Sequence, residues 1–162
     1  VKPVRLAALV LMVVGLSAFP ALAQTGAPKS FTFVSGDCVS LTVLDSDITT
    51  ECQGSVVLSE YTNGRVNIAF VLTSDRGLFS FSGDQAEQVL DADAVTQPID
   101  SLLMLEAGAA APRPRIMGTG ECRWGDPFAG PARIDCRFRA PDGAEAKAAF
   151  LTDGAEPDVV TP

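Results

Sequence analysis

Apolar and polar residues alternate along much of the chain, and a period of two predicts short β-strands. Phe31 and Phe33 alternate with Thr32 and Val34 and predict a first strand. Val39, Leu41 and Val43 alternate with Ser40 and Thr42, so these three apolar side chains are expected on one face. That phase sends Cys38 to the opposite face unless the strand begins only at Val39. Asp45-Ser46-Asp47 breaks the pattern as a turn. The clearest hairpin joins residues 54–61 to residues 65–73 through Asn63-Gly64, a dipeptide suited to the two positive φ values of a type I′ turn. Val66, Ile68, Phe70 and Leu72 are spaced by two and should face the core. Asp75-Arg76-Gly77 then turns the chain into Leu78-Phe79-Ser80-Phe81.

The pattern changes after Ser82. Asp84 followed three residues later by Glu87 reads as a capping box and predicts a short helix near 85–90. Asp84, Glu87, Asp91, Asp93, Asp100 and Glu106 follow one another with no Lys or Arg between them. Ile99 to Glu106 predicts a strand, and the unbroken run Leu102-Leu103-Met104-Leu105 suggests burial on both of its faces. Gly108 to Pro114 reads as an Ala/Pro linker. Beyond it lie a Gly-interrupted strand from Arg115 to Trp124 and a loop from Gly125 to Pro131. Arg133 to Arg139 is a strand with Ile134, Cys136 and Phe138 on one face, Asp142-Gly143 is a second tight turn, and Ala144 to Thr152 returns.

Much of this punctuation occurs twice. Gly36-Asp37-Cys38, Cys52, Asn63-Gly64 and Ala69-Phe70 are echoed by Gly120-Glu121-Cys122, Cys136, Asp142-Gly143 and Ala149-Phe150. The expected fold is all-β: a small antiparallel β-sandwich or barrel of about eight or nine strands. It would form from two related disulfide-stapled halves within one domain over 24–154. Copy one spans 30–83, an acidic connector 84–114, and copy two 115–154, with a flexible tail over 155–162. The repeat favours the pairings Cys38–Cys52 and Cys122–Cys136, each closing a loop worth about 3 kcal/mol in the chain-entropy picture. No C-x-x-C pair occurs, which disfavours zinc.

Residues 1–23 read as a cleaved signal peptide. Lys2 and Arg5 precede the apolar run Leu6 to Phe19, which at 14 residues is too short to span a bilayer, and Ala21-Leu22-Ala23 suits signal peptidase. Four cysteines in an exported chain then imply two disulfides in the periplasm or outside the cell. The chain carries 12 Lys plus Arg against 20 Asp plus Glu, a net charge of −8. Loss of Lys2 and Arg5 with the leader takes this to −10. Such an excess argues against nucleic acid as a partner and is compatible with a cationic protein.

Candidate chemistry is sparse. The chain has no His, which excludes His-dependent nucleophiles and His-ligated metals. Lys29 and Lys147 lie in no nucleophile motif, and Asp45-Ser46-Asp47 and Asp91-Ala92-Asp93 lack the spacing of a calcium loop. No catalytic residue, metal or cofactor is predicted. On the strand Arg133–Arg139, the side chains of Arg133, Arg137 and Arg139 form an outward row interrupted by Asp135, a pattern that could capture carboxylate or phosphate groups or pair with the acidic connector. Trp124 and Phe128 flank a Gly/Pro-rich loop, where they could stack on a ligand or belong to the core. These features predict an exported, non-catalytic binding or envelope-associated module that engages a cationic protein, in the manner of an inhibitor. One alternative is a carbohydrate or small-anion binder using Arg133, Arg137, Arg139 and Trp124. The other is a hydrolase built on carboxylates.

Overall fold

The computed structural model describes residues 26–73, 76–109 and 113–162. The signal peptide expected over residues 1–23, Asp75 of the expected turn and the centre of the expected Ala/Pro linker lie outside the described residues. The elements in chain order are β1 (Pro28–Val43), β2 (Ser46–Asp47), β3 (Cys52–Tyr61), β4 (Arg65–Leu72), β5 (Leu78–Asp84), β6 (Val89–Leu90), β7 (Val95–Leu105), β8 (Ile116–Trp124), β9 (Arg133–Arg139), β10 (Glu145–Thr152) and β11 (Asp158–Val160). Three-residue 3-10 turns cover Thr49–Glu51 and Gln85–Glu87.

Eight long strands pair antiparallel in the order β1, β3, β4, β5, β7, β8, β9 and β10, and β10 returns to pair with β1. The fold is therefore a closed up-and-down barrel. Closure removes the sheet edges that an open meander would expose. Short β2 and β6 fold back on β1 and β7 as hairpins. The tail expected to be frayed supplies β11, which pairs with Phe31–Phe33 on the flank of β1 that β10 has left.

Apolar residues face inward. Phe70 and Phe150 are fully buried and meet edge to face with centroids 6.4 Å apart, and Phe81 packs against both Phe70 and Phe79 at 5.9 and 5.3 Å. Small residues make room on the opposite wall. A Cβ on Gly120 would stand 2.1 Å from the Arg137 carbonyl oxygen, and one on Gly118 would stand 2.3 Å from the Phe138 ring. Charged Arg133, Arg137, Arg139 and Lys147 point outward, the inverse of barrels that span membranes. No helix among the described residues is long and apolar enough to cross a membrane.

Both disulfides form as expected, Cys38–Cys52 and Cys122–Cys136. The second joins residues directly opposite one another on β8 and β9. Copy one begins at β1 and copy two at β8, five strands further round the barrel. Neighbouring strands alternate in direction, so an odd offset reverses the second copy and no rotation superposes the two. What the two expected copies share in the structure is local: Gly36 and Gly120 each press on the neighbouring backbone, with carbonyl oxygens 2.1 Å from a notional Cβ.

Several local expectations are corrected. β1 is one strand with a bulge between Cys38 and Ser40, where Val39 is the extra residue. Cys38 and Leu41 both turn inward, and Val39, expected on the same face as Leu41, is 50 % exposed. The β7–β8 register shifts between Ile99, opposite Gly120, and Ser101, opposite Met117, with the extra residue on β8, and of the apolar run only Leu102 is fully buried. Asn63-Gly64 is not a type I′ turn: Gly64 alone has positive φ, and Thr62-Asn63-Gly64 forms a three-residue loop. The positive pair falls instead on Leu44 and Asp45 between β1 and β2. Tertiary contacts hold them there, because the Asp45 amide donates to the Glu145 carbonyl at 2.9 Å and Leu44 packs on the core. The helix expected near 85–90 is a single 3-10 turn. Asp84 caps it by accepting from the Ala86 amide, not from the Glu87 amide that a capping box would use, and Gln88 is extended while Val89–Leu90 pairs with β7.

Candidate functional site

The inward rows of β1, β3, β4, β7 and β8 run out at one end of the barrel, and a cleft of about 620 Å³ opens there. Leu58, Val66 and Ile68 line its apolar part, with Ser30 and Thr32 of β1 beside them. Their register explains the grouping: Thr32, Leu58 and Ile68 are successive cross-strand partners, as are Ser30, Glu60 and Val66. Trp124, the only tryptophan, ends β8 on the inward face, opposite Val95 of β7 and Ile134 of β9. It is half-buried and lines the cleft.

Two loops wall the opening. One is the tip of the β6–β7 hairpin, residues 91–94, closed by the Asp91 amide donating to the Ala94 carbonyl at 2.8 Å. The other follows Trp124, where the Asp126 carboxylate accepts from the Phe128 amide at 2.9 Å and presents Phe128, 56 % exposed, at the rim. Behind the first loop, Gln97 is fully buried yet satisfied. Its amide nitrogen donates to the Asp84 and Pro98 carbonyls, and its oxygen accepts from Gln88. Gly83 is required beside it, because a Cβ there would lie 2.0 Å from the Pro98 oxygen.

The charge of the cleft has one sign. Glu60, Asp91, Asp93 and Asp126 line it, and no Lys or Arg is among its lining residues. Lys29 reaches Glu60 at 3.3 Å from outside in an exposed pair, an arrangement that contributes at most about 1 kcal/mol. Among the described residues no group of three or more His, Cys, Asp and Glu could hold a metal ion.

Arg133, Arg137 and Arg139 form the outward row that the alternation of β9 predicts. Each already engages a carboxylate of its own sheet: Arg133 with Asp135 at 2.8 Å, Arg137 with Glu121 at 2.6 Å, and Arg139 with Glu145. The partners come from β8, β9 and β10 and not from the acidic connector. Cross-strand register decides this, since Arg137 sits opposite Glu121 and Arg139 opposite Glu145. The Asp135 hydrogen bond raises the Arg133 pKa, and the Lys147 hydrogen bond, with Arg139 alongside, lowers that of Glu145. Trp124 faces inward and the arginines outward, so the structure does not assemble Arg133, Arg137, Arg139 and Trp124 into one site.

A polar cluster on the outer face went unread in the sequence. Arg65 holds Asp100 in a bidentate pair at 2.5 and 2.6 Å and donates to Ser82 at 2.8 Å. Arg115 reaches Ser82 and Ser101, both buried. Arg65 lowers the Asp100 pKa through these hydrogen bonds, against opposing desolvation. The cluster spans β4, β5 and β7 and ties their outer faces together. Its only trace in the sequence is serine at alternate positions on a strand, too common a pattern to mark a site.

Comparison with known proteins finds no matching family model, no matching curated protein and no matching solved structure.

Proposed function

We propose that this protein is an exported, non-catalytic binding module that engages a cationic protein through the acidic mouth of its barrel. The observation that carries the reading is the cleft itself: four carboxylates, an accessible tryptophan and no cation among its lining residues. Uniform negative charge in a concave, partly apolar site concentrates field lines and draws a positive partner. Two disulfides fit an oxidising compartment, in keeping with a periplasmic or extracellular life.

The test is retention of basic proteins from an envelope extract by the immobilised protein, beside a variant carrying Asp91→Asn, Asp93→Asn and Asp126→Asn. The reading expects a basic protein that leaves the column at moderate salt and is not retained by the variant. Equal retention by both columns, or none by either, would overturn it.

A further inference from the structure

Resting on the reading above, we infer that the cleft receives a short partner segment bearing arginine, with the guanidinium against the Trp124 ring among the mouth carboxylates. A volume of about 620 Å³ is within the range that encloses a compact ligand, with room for a few residues and not for a folded element. The lining divides accordingly. Leu58, Val66 and Ile68 give an apolar surface for an aliphatic stem, and Asp93 and Asp126 stand on the two wall loops where a charged head would lie. The walls meet closely, since a Cβ on Gly125 would be 3.7 Å from the Asp93 carbonyl oxygen.

Arginine suits this lining better than lysine. Its planar cation is weakly hydrated, stacks on indole and binds carboxylates through two parallel hydrogen bonds. Lysine offers a compact, strongly hydrated charge that gains less from a half-buried ring. A free polyamine shares the charge but lacks the plane. The cleft's chemistry therefore ranks arginine peptide above lysine peptide, and both above an acidic one.

Trp124 is its own reporter, because no other tryptophan contributes to the emission. The full chain would be titrated with acetyl-Gly-Arg-Gly-amide, with its Lys and Glu counterparts and with spermidine, calorimetry running alongside fluorescence. The expected result is saturable binding of the Arg peptide, weaker binding of the Lys peptide and none of the Glu peptide. Affinity should fall as salt rises from about 20 mM to about 0.5 M. Asp93→Asn with Asp126→Asn should weaken the Arg peptide at least about ten-fold while circular dichroism stays unchanged. The amide oxygen that Asp126→Asn introduces can still accept from the Phe128 amide, so the loop survives the change. Trp124→Ala should cost about three- to thirty-fold by calorimetry. Spermidine binding with the Arg peptide silent would overturn the inference in favour of a free polyamine. An Arg peptide that binds the double variant equally well would overturn it too. Retention of a basic protein on the column with no peptide bound would overturn this inference alone, while silence in both assays would remove the partner reading as well.

Discussion

The bulge in β1 separates two residues that strict alternation would place together, and Leu41→Ala against Val39→Ala measures that separation. Leu41 is fully buried and Val39 is 50 % exposed. Truncating a buried leucine costs about 2–5 kcal/mol, the higher values where the surroundings do not collapse into the cavity. Here the backbone is pinned. The Leu41 amide donates to the Thr49 hydroxyl and its carbonyl accepts from the Ile48 amide, both at 2.9 Å, and the Cys38–Cys52 disulfide lies three residues away. Leu41→Ala is therefore expected at about 3–5 kcal/mol, a fall in midpoint temperature on the order of 10 °C for a domain of this size. Val39→Ala removes exposed methyl groups and should stay within about 0.5 kcal/mol. Urea unfolding of the oxidised protein, followed by Trp124 fluorescence and circular dichroism, gives both values. Equal losses in the two variants would refute the bulge and with it the inward placement of Cys38.

Other expectations follow from the same packing. Gly120→Ala pushes a methyl group against the β9 backbone and should cost more than about 3 kcal/mol. Gly143→Ala, in open space with φ at 93°, should cost only the backbone strain of about 1–2 kcal/mol, and urea midpoints separate the two cases. Peptide mapping of the unreduced protein should link Cys38 to Cys52 and Cys122 to Cys136, whereas crossed pairs would contradict the β8–β9 register. Asp100, with its pKa lowered by Arg65, contributes stability above the unfolded value of about 3.9 and loses it as pH falls through the folded value. Asp100→Asn should thus lower stability by about 1 kcal/mol at pH 7 and flatten the acid limb below about pH 4 in pH-resolved unfolding.

Local punctuation was the legible part of this chain. The cysteine spacing and the duplicated glycines indicated the two bridges, and unbroken alternation placed Val66 to Leu72 and the faces of Arg133–Arg139 correctly. Bulges escaped because an extra residue such as Val39 carries no side-chain mark; only the conflicting phase of Cys38 hinted at it. The positive φ values at Leu44 and Asp45 escaped for a related reason, since Leu44 does not favour that region and a contact with β10 holds the turn there. Closure between β1 and β10 joins strands from opposite ends of the chain, and no local pattern encodes that pairing. The cleft was half legible. Trp124, Phe128 and the acids were visible as residues, but their convergence depends on two loops more than 30 positions apart and on the inward phase of β8.

Binding centred on the acidic mouth is tested most directly by an amide and indole chemical-shift map of the labelled protein during titration with the Arg peptide. Shifts are expected at Glu60, Asp91 to Val95, the Trp124 indole and Asp126 to Ala129, with the β9 row unmoved. Shifts centred on Arg133, Arg137 and Arg139, or a binding isotherm with no change at the mouth, would contradict a site there.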